Sequence, residues 1–187
     1  IILPGRRARR RVIELLLDEA EVRGATLIPP QATTVGGLPE LLHASPKPFA
    51  DEPTSRRAWS RALRDVDRET VERAFPRLPE SDGPTEWDEL AGLLASLHET
   101  LTREGHPFRD VVQICRSGVL FDDGARWGGL AQVQKRYLQL LDRSGLADRL
   151  ETRRLALESH VPPFTGDIWL VSVVELPDVT RQLLDAS

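Results

Sequence analysis

Residues 1–24 read IILPGRRARRRVIELLLDEAEVRG, and the fold turns on what the first five of them form. Ile1-Ile2-Leu3-Pro4 reads as a short buried strand, closed by Gly5. Over residues 6–23, Ala8, Val12, Leu15, Leu16 and Ala20 recur at helical spacing, so the strand feeds a helix. Gly24 stands where a helix C-terminal cap is expected. Residues 25–28 then predict a second strand before Pro29-Pro30, and residues 32–35 a third. Gly36-Gly37 leads into a brief helix over 38–43. Strand, helix, strand is the rhythm of a parallel α/β sheet.

The same signal returns only near the end. Ile168-Trp169-Leu170-Val171-Ser172-Val173-Val174 is a nearly continuous apolar run, the kind buried on both faces of a parallel sheet. Pro177 fits the first turn of a closing helix to residue 185. The simplest assembly returns this late strand to the side of the first one. Between the two lies a block with no convincing strand. It starts in the proline-rich 45–53 and carries a helix over 55–75, with Thr54 as its N-cap. A Pro/Gly loop over 76–84 follows, then helices over 85–103 and 107–117. After the turn Phe121-Asp122-Asp123-Gly124 come helices over 125–143 and 147–159. The expected architecture is an α/β parallel sheet, residues 1–44 plus 164–187, interrupted by an all-helical insertion over residues 45–163.

Composition narrows the function. The chain has 187 residues, enough for a sizeable core, with 40% hydrophobic and 29% charged residues, as in globular proteins. A net charge of -4 argues against a surface that binds nucleic acid everywhere, so a basic site must be local. Cys115 is the only cysteine; it excludes an intrachain disulfide, fits a reducing cytoplasm, and reads as a packed helix residue. No apolar run approaches the ~20 residues needed to span a bilayer. The sequence lacks methionine and its first residue already reads as strand, so a piece of a longer polypeptide is expected.

Five of the six residues 6–11 are arginine. Arg6, Arg7, Arg10 and Arg11 share a broad polar face, and Glu14, Asp18 and Glu21 follow on it. One reading is a solvated face laced by pairs such as Arg10–Glu14 and Arg11–Glu14. The other is phosphate contact. A helix N-terminus already carries partial positive charge, so arginines there cost stability unless an anion compensates.

Other chemistry is less well supported. No GxxxxGK[ST] loop occurs, and Val35-Gly36-Gly37 is too sparse for a dinucleotide fingerprint. The late strand closes on Glu175 alone, with Asp178 already in the next helix, so Glu175 is the candidate metal carboxylate and no cofactor is expected. His43, His98, His106 and His160 are scattered without HExxH spacing. Asp122-Asp123 reads as a turn and helix cap, and Glu158-Ser159-His160 as a helix end before Pro162-Pro163. Trp59, Trp87, Trp127 and Trp169 read as core anchors rather than base-stacking platforms.

Three blocks carry a resemblance. IILPGRRARRRVIELLLDEA with LIPPQATTVGGLPELL, then KPFADEPTSRRAWSRAL, then RWGGLAQVQKRYLQLLDRSGLADRLETRRLALES leading into DIWLVSVVELPDVTRQLL together resemble the N-terminal region of AddB-type proteins. These are helicase–nuclease subunits of bacterial double-strand-break-processing complexes, members of which end in a PD-(D/E)XK nuclease domain. The resemblance implies a UvrD-like, RecA-like helicase domain, P-loop NTPase-like but inactivated, with a helical insertion. It places the start of the arginine helix, with Arg6, Arg7 and Arg10, and the strand end Thr33-Thr34-Val35 on the side that meets DNA. It implies a DNA-repair and recombination role, non-catalytic in this segment, and a UvrD- or AddA-like helicase subunit as partner. Two other readings remain open: an ATP-dependent helicase completed by an upstream phosphate loop with Glu175 near the metal, and a helical scaffold that binds only protein.

Overall fold

The computed structural model describes residues 1–75, 77–79, 83–117, 123–159 and 164–187. The expected 76–84 loop, the 121–124 turn and the His160, Pro162-Pro163 segment lie wholly or partly outside them.

Among the described residues the protein is mainly helical. A two-residue strand β1 (Ile2–Leu3) leads into helix α1 (Arg6–Val22), and β2 (Thr33–Thr34) follows. A 3₁₀ turn (Val35–Gly37) and the short α2 (Pro39–Leu42) complete this part. Then come α3 (Glu52–Asp65), α4 (Arg68–Ala74), α5 (Pro84–Arg103), α6 (Phe108–Arg116), α7 (Gly124–Arg143) and α8 (Arg149–Glu158). Helix α9 (Asp178–Ala186) closes the chain.

Among the described residues there is no RecA-like parallel sheet, only a two-stranded one. β1 and β2 pair in parallel, Ile2 with Thr33 and Leu3 with Thr34. The late apolar run does lie beside β1: Ile2 N–H donates to Trp169 O at 2.8 Å and Val171 N–H to Ile2 O at 2.9 Å. That contact is one isolated parallel bridge at Leu170. Ser172, at φ 54°, explains why it goes no further, because a non-glycine residue in the left-handed region breaks an extended ladder. Residues 25–28 form no strand, and Ile28 is exposed; Pro29-Pro30 beyond it can donate nothing to a ladder. Trp169 is 65% exposed, so it is not a core anchor, whereas Trp59 is buried and Trp87 and Trp127 pack against the bundle core.

The expected helix over 55–75 is two helices. Asp67 accepts the Thr70 N–H at 2.9 Å as N-cap of α4, and Val66 turns extended between them. Asp51, not Thr54, caps α3, accepting the Thr54 N–H at 2.9 Å. Asp123 occupies the N-cap position of α7 without a side-chain cap bond. Gly24 does end α1: at φ 60° it allows the Ala25 N–H to close back on Ala20 O at 2.9 Å.

Two hydrophobic clusters organise the fold. The larger joins α3, α4, α5, α6 and α7, with Trp59, Leu63, Leu94, Phe108, Val133 and Tyr137 among its buried members. Helix α7 is its axis, in contact with α3, α4 and α6. Trp59 stacks on Tyr137 with centroids 4.0 Å apart and planes within 9°. The smaller cluster gathers Ile2, Leu38, Leu42, Ala156, Val179 and Leu183, from β1, α2, α8, α9 and the lead into α2. Helix α8 packs into the smaller cluster through Ala156 and also contacts α5, so it links the two parts.

Candidate nucleic-acid interface

Parallel pairing puts the carboxyl ends of β1 and β2 at one edge. From that edge Pro4-Gly5 enters α1, and Val35–Gly37 turns away toward α2. The start of α1 and the end of β2 are thus neighbours, and α1 packs against both strands. Carboxyl ends of parallel strands are where α/β proteins place ligands.

The start of α1 is bare. Gly5 provides no side-chain cap, and the first turn has no acidic residue. Arg6, Arg7, Arg9, Arg10 and Arg11 are all exposed. Two of them are paired: Arg10 Nε donates to Glu14 Oε1 at 2.9 Å, and Arg11 Nη1 reaches Glu14 Oε2 at 3.5 Å. The Arg10 hydrogen bond leads in holding the Glu14 carboxyl below its usual range, with Arg11 adding to it. Even so, the Arg10 side chain stays 84% exposed. Arg6, Arg7 and Arg9 have no carboxylate within ion-pair distance among the described residues. Asp18 and Glu21 take no part, while Glu19 binds Arg23 at 2.6 Å.

Arg9 lies outside the set that the helical wheel singles out, yet its spacing is a signal in its own right. Three and four residues after Arg6 stand Arg9 and Arg10, and after Arg7 stand Arg10 and Arg11. After Arg9 stand Val12 and Ile13. None of the three has an acid at the i+3 or i+4 position that a helix offers.

Thr33 and Thr34 are half-buried at the end of β2. A Cβ on Gly37 would stand 2.5 Å from Thr33 Oγ1, so the Thr33 hydroxyl faces the turn that follows it. Glu175 is exposed, outside any helix or strand, and apart from the arginines in sequence and element. Among the described residues no group of three or more His, Cys, Asp or Glu is placed to hold a metal.

A second polar constellation sits inside the helical bundle and resembles catalytic machinery. Phe108 N–H donates to Gln134 Oε1 at 3.0 Å, which turns the Gln134 amide nitrogen toward His98 Nδ1 at 2.9 Å. Nδ1 must accept, so Nε2 carries the proton and donates to Asp148 Oδ1 at 3.2 Å. Thr102 Oγ1 lies 3.0 Å from the same Nδ1. Asp148 also accepts from Tyr137 OH at 2.7 Å and from the Glu151 N–H at 2.8 Å. Burial opposes ionisation of Asp148, but the donors His98, Glu151 N–H and Tyr137 outweigh it and hold its carboxyl below the ordinary range. Burial, with the Asp148 charge, pushes the Tyr137 phenol up. His98 is 2% exposed, and both its nitrogens are engaged. A general base needs a free lone pair within reach of substrate; this network instead fixes α5, α6, α7 and α8 together.

Fold and site together define a helical bundle joined to a small parallel strand pair that presents a cationic helix end. No protein-family model matches the chain, and no curated protein or solved structure matches it.

Proposed function

We propose that the chain is a non-catalytic, DNA-phosphate-binding part of an AddB-type double-strand-break-processing subunit, in which α1 grips the backbone and other surfaces dock a helicase subunit. The observation that carries the reading is the uncapped start of α1, where exposed Arg6, Arg7 and Arg9 lack carboxylate partners among the described residues. Helix dipole and side-chain charge have the same sign there, and phosphate is the anion that satisfies both. Sequence-independent binding to the backbone needs nothing more than such a local cationic patch on a chain of net charge -4. The order and spacing of the three AddB-like blocks support the wider setting.

The test is the salt dependence of binding to a fluorescent single-stranded oligonucleotide, for the wild type and Arg6→Ala/Arg7→Ala/Arg9→Ala. Each arginine that ceases to neutralise a phosphate lowers the slope of log K against log salt by about 0.7 on single strands, so the triple variant should be shallower by about 2 units. Its melting temperature should hold or rise, since repulsion from the helix end is relieved. An unchanged slope rejects phosphate binding by α1. An absence of binding by the wild type even at low salt favours the protein-binding scaffold.

A further inference from the structure

Thr180, third residue of α9, is 3% exposed, yet its hydroxyl has no hydrogen-bond partner among the described residues. Among those residues no side-chain oxygen or nitrogen sealed from the surface lacks a partner. The Thr180 hydroxyl must therefore reach open space, and the space beside it is a cavity of about 180 Å³. At roughly 30 Å³ per water, that holds a small tetrahedral anion with some of its hydration.

Two arginines, Arg153 and Arg103, join Thr180 on a wall otherwise formed mostly by apolar residues such as Val35, Leu150 and Val179. Arg153 of α8 directs Nε and Nη2 to the two Glu40 oxygens, both at 2.9 Å, and Nη2 also to Gly36 O at 2.6 Å. That leaves its Nη1 without an acceptor among the described residues. Arg103, at the end of α5, also lines the cavity and is half-exposed, its one acidic partner among the described residues being Glu99 at 2.5 Å. The cavity meets the first turn of α9 at Pro177 and Val179. Pro177 offers no side-chain cap, which leaves the N–H groups of that turn without a side-chain acceptor. The one acid of the turn, Asp178, is held by Arg181 and is not on the wall.

We propose that this cavity, walled by the Val35–Gly37 turn and by α5, α8 and α9, binds a phosphate group. Thr180 Oγ1 and the α9 amides donate to its oxygens, with Arg153 Nη1 and the Arg103 guanidinium as further donors. The site does not depend on the α1 arginines, so the two readings fail separately.

Inorganic phosphate is titrated against chloride at equal ionic strength, by calorimetry and thermal unfolding, on the wild type, Thr180→Val and Arg103→Gln. The wild type should be stabilised saturably by phosphate. Thr180→Val exchanges an unpartnered hydroxyl for a methyl, so without phosphate it should melt no lower than the wild type, while its phosphate affinity falls tenfold or more, as for loss of a hydrogen bond to a charged group. Arg103→Gln should weaken phosphate binding without changing the fold. Equal effects of phosphate and chloride would overturn the site, as would unaltered phosphate affinity in Thr180→Val or a lower melting point of that variant in chloride. Oligonucleotide binding separates two sources of the group: a lower affinity in Thr180→Val assigns a nucleic-acid phosphodiester, and unchanged affinity alongside abolished phosphate binding assigns a free phosphate or small phosphomonoester.

Discussion

Asp148 is the residue on which most depends. One carboxylate caps α8, holds the His98 tautomer and takes the Tyr137 hydroxyl. Asp148→Asn can keep the cap but must present an N–H group to donors, so it should lose about 3 kcal/mol at pH 7. The carboxyl is depressed in the folded state, below the ~3.9 of an unfolded aspartate. Its contribution is therefore present above pH ~4 and is lost as pH falls through the folded value. Denaturant unfolding of both proteins from pH 7 to pH 3 should show the difference narrowing below pH ~4; a constant difference would mean that the charge is not what matters. Little of this network is legible in the sequence. His98 and Thr102 share a helix face, but Gln134 and Asp148 lie 36 and 50 residues beyond His98, and no local pattern says which distant helix each residue will meet.

At the level of elements, the pair Gly128-Gly129 shows how packing decides the sign of a substitution. A Cβ at Gly129 would stand 2.6 Å from the Thr70 carbonyl oxygen and 3.2 Å from Ala74 Cβ, so α4 lies directly on α7 at this point. A Cβ at Gly128 meets nothing within 4 Å. Alanine is about 1 kcal/mol better than glycine in a helix interior, so Gly128→Ala should stabilise by up to that amount. Gly129→Ala should instead destabilise by roughly 1–3 kcal/mol, because backbone must move to admit the methyl. Chemical denaturation of the two single variants gives opposite signs if the α4–α7 approach is right and the same sign if it is wrong. The sequence shows two adjacent glycines and not which one is packed. Helices themselves are easier to read: periodicity locates α5, α6 and α7 within a residue or two. The α3–α4 break escapes periodicity because the cap at Asp67 sits inside an otherwise helical pattern. Replacing Asp67 by alanine should cost about 1 kcal/mol, measurable as a lower melting temperature.

The whole molecule is two cores of unequal depth, joined by α8. Among the described residues the bundle core has twelve buried hydrophobic residues and the core around β1, α2 and α9 has six. Segments flanking its strands leave apolar side chains in water: Val174 is 94% exposed, Ile28 88% and Val22 83%. This is the region where the sequence pattern points to a sheet. The apolar runs are real, but a sheet needs strands that find one another across the chain, and here only β1, β2 and the bridge at Leu170 do so. Less apolar burial means that this part should open at lower free energy than the bundle. Within the smaller part, Arg153 ties α8 to α2 and the turn before it, with its bonds to Glu40 and Gly36 spanning 113 and 117 residues of sequence. Arg153→Gln removes a bidentate, charge-assisted pair at a half-buried site. Native-state hydrogen exchange should then speed up roughly tenfold to a hundredfold in α2 and α9, as for loss of one or two charged hydrogen bonds. Amides of α3, α5 and α7 should keep their protection, because the packing of those helices does not pass through Arg153. Equal acceleration in both regions would show instead that the two cores open as a single cooperative unit.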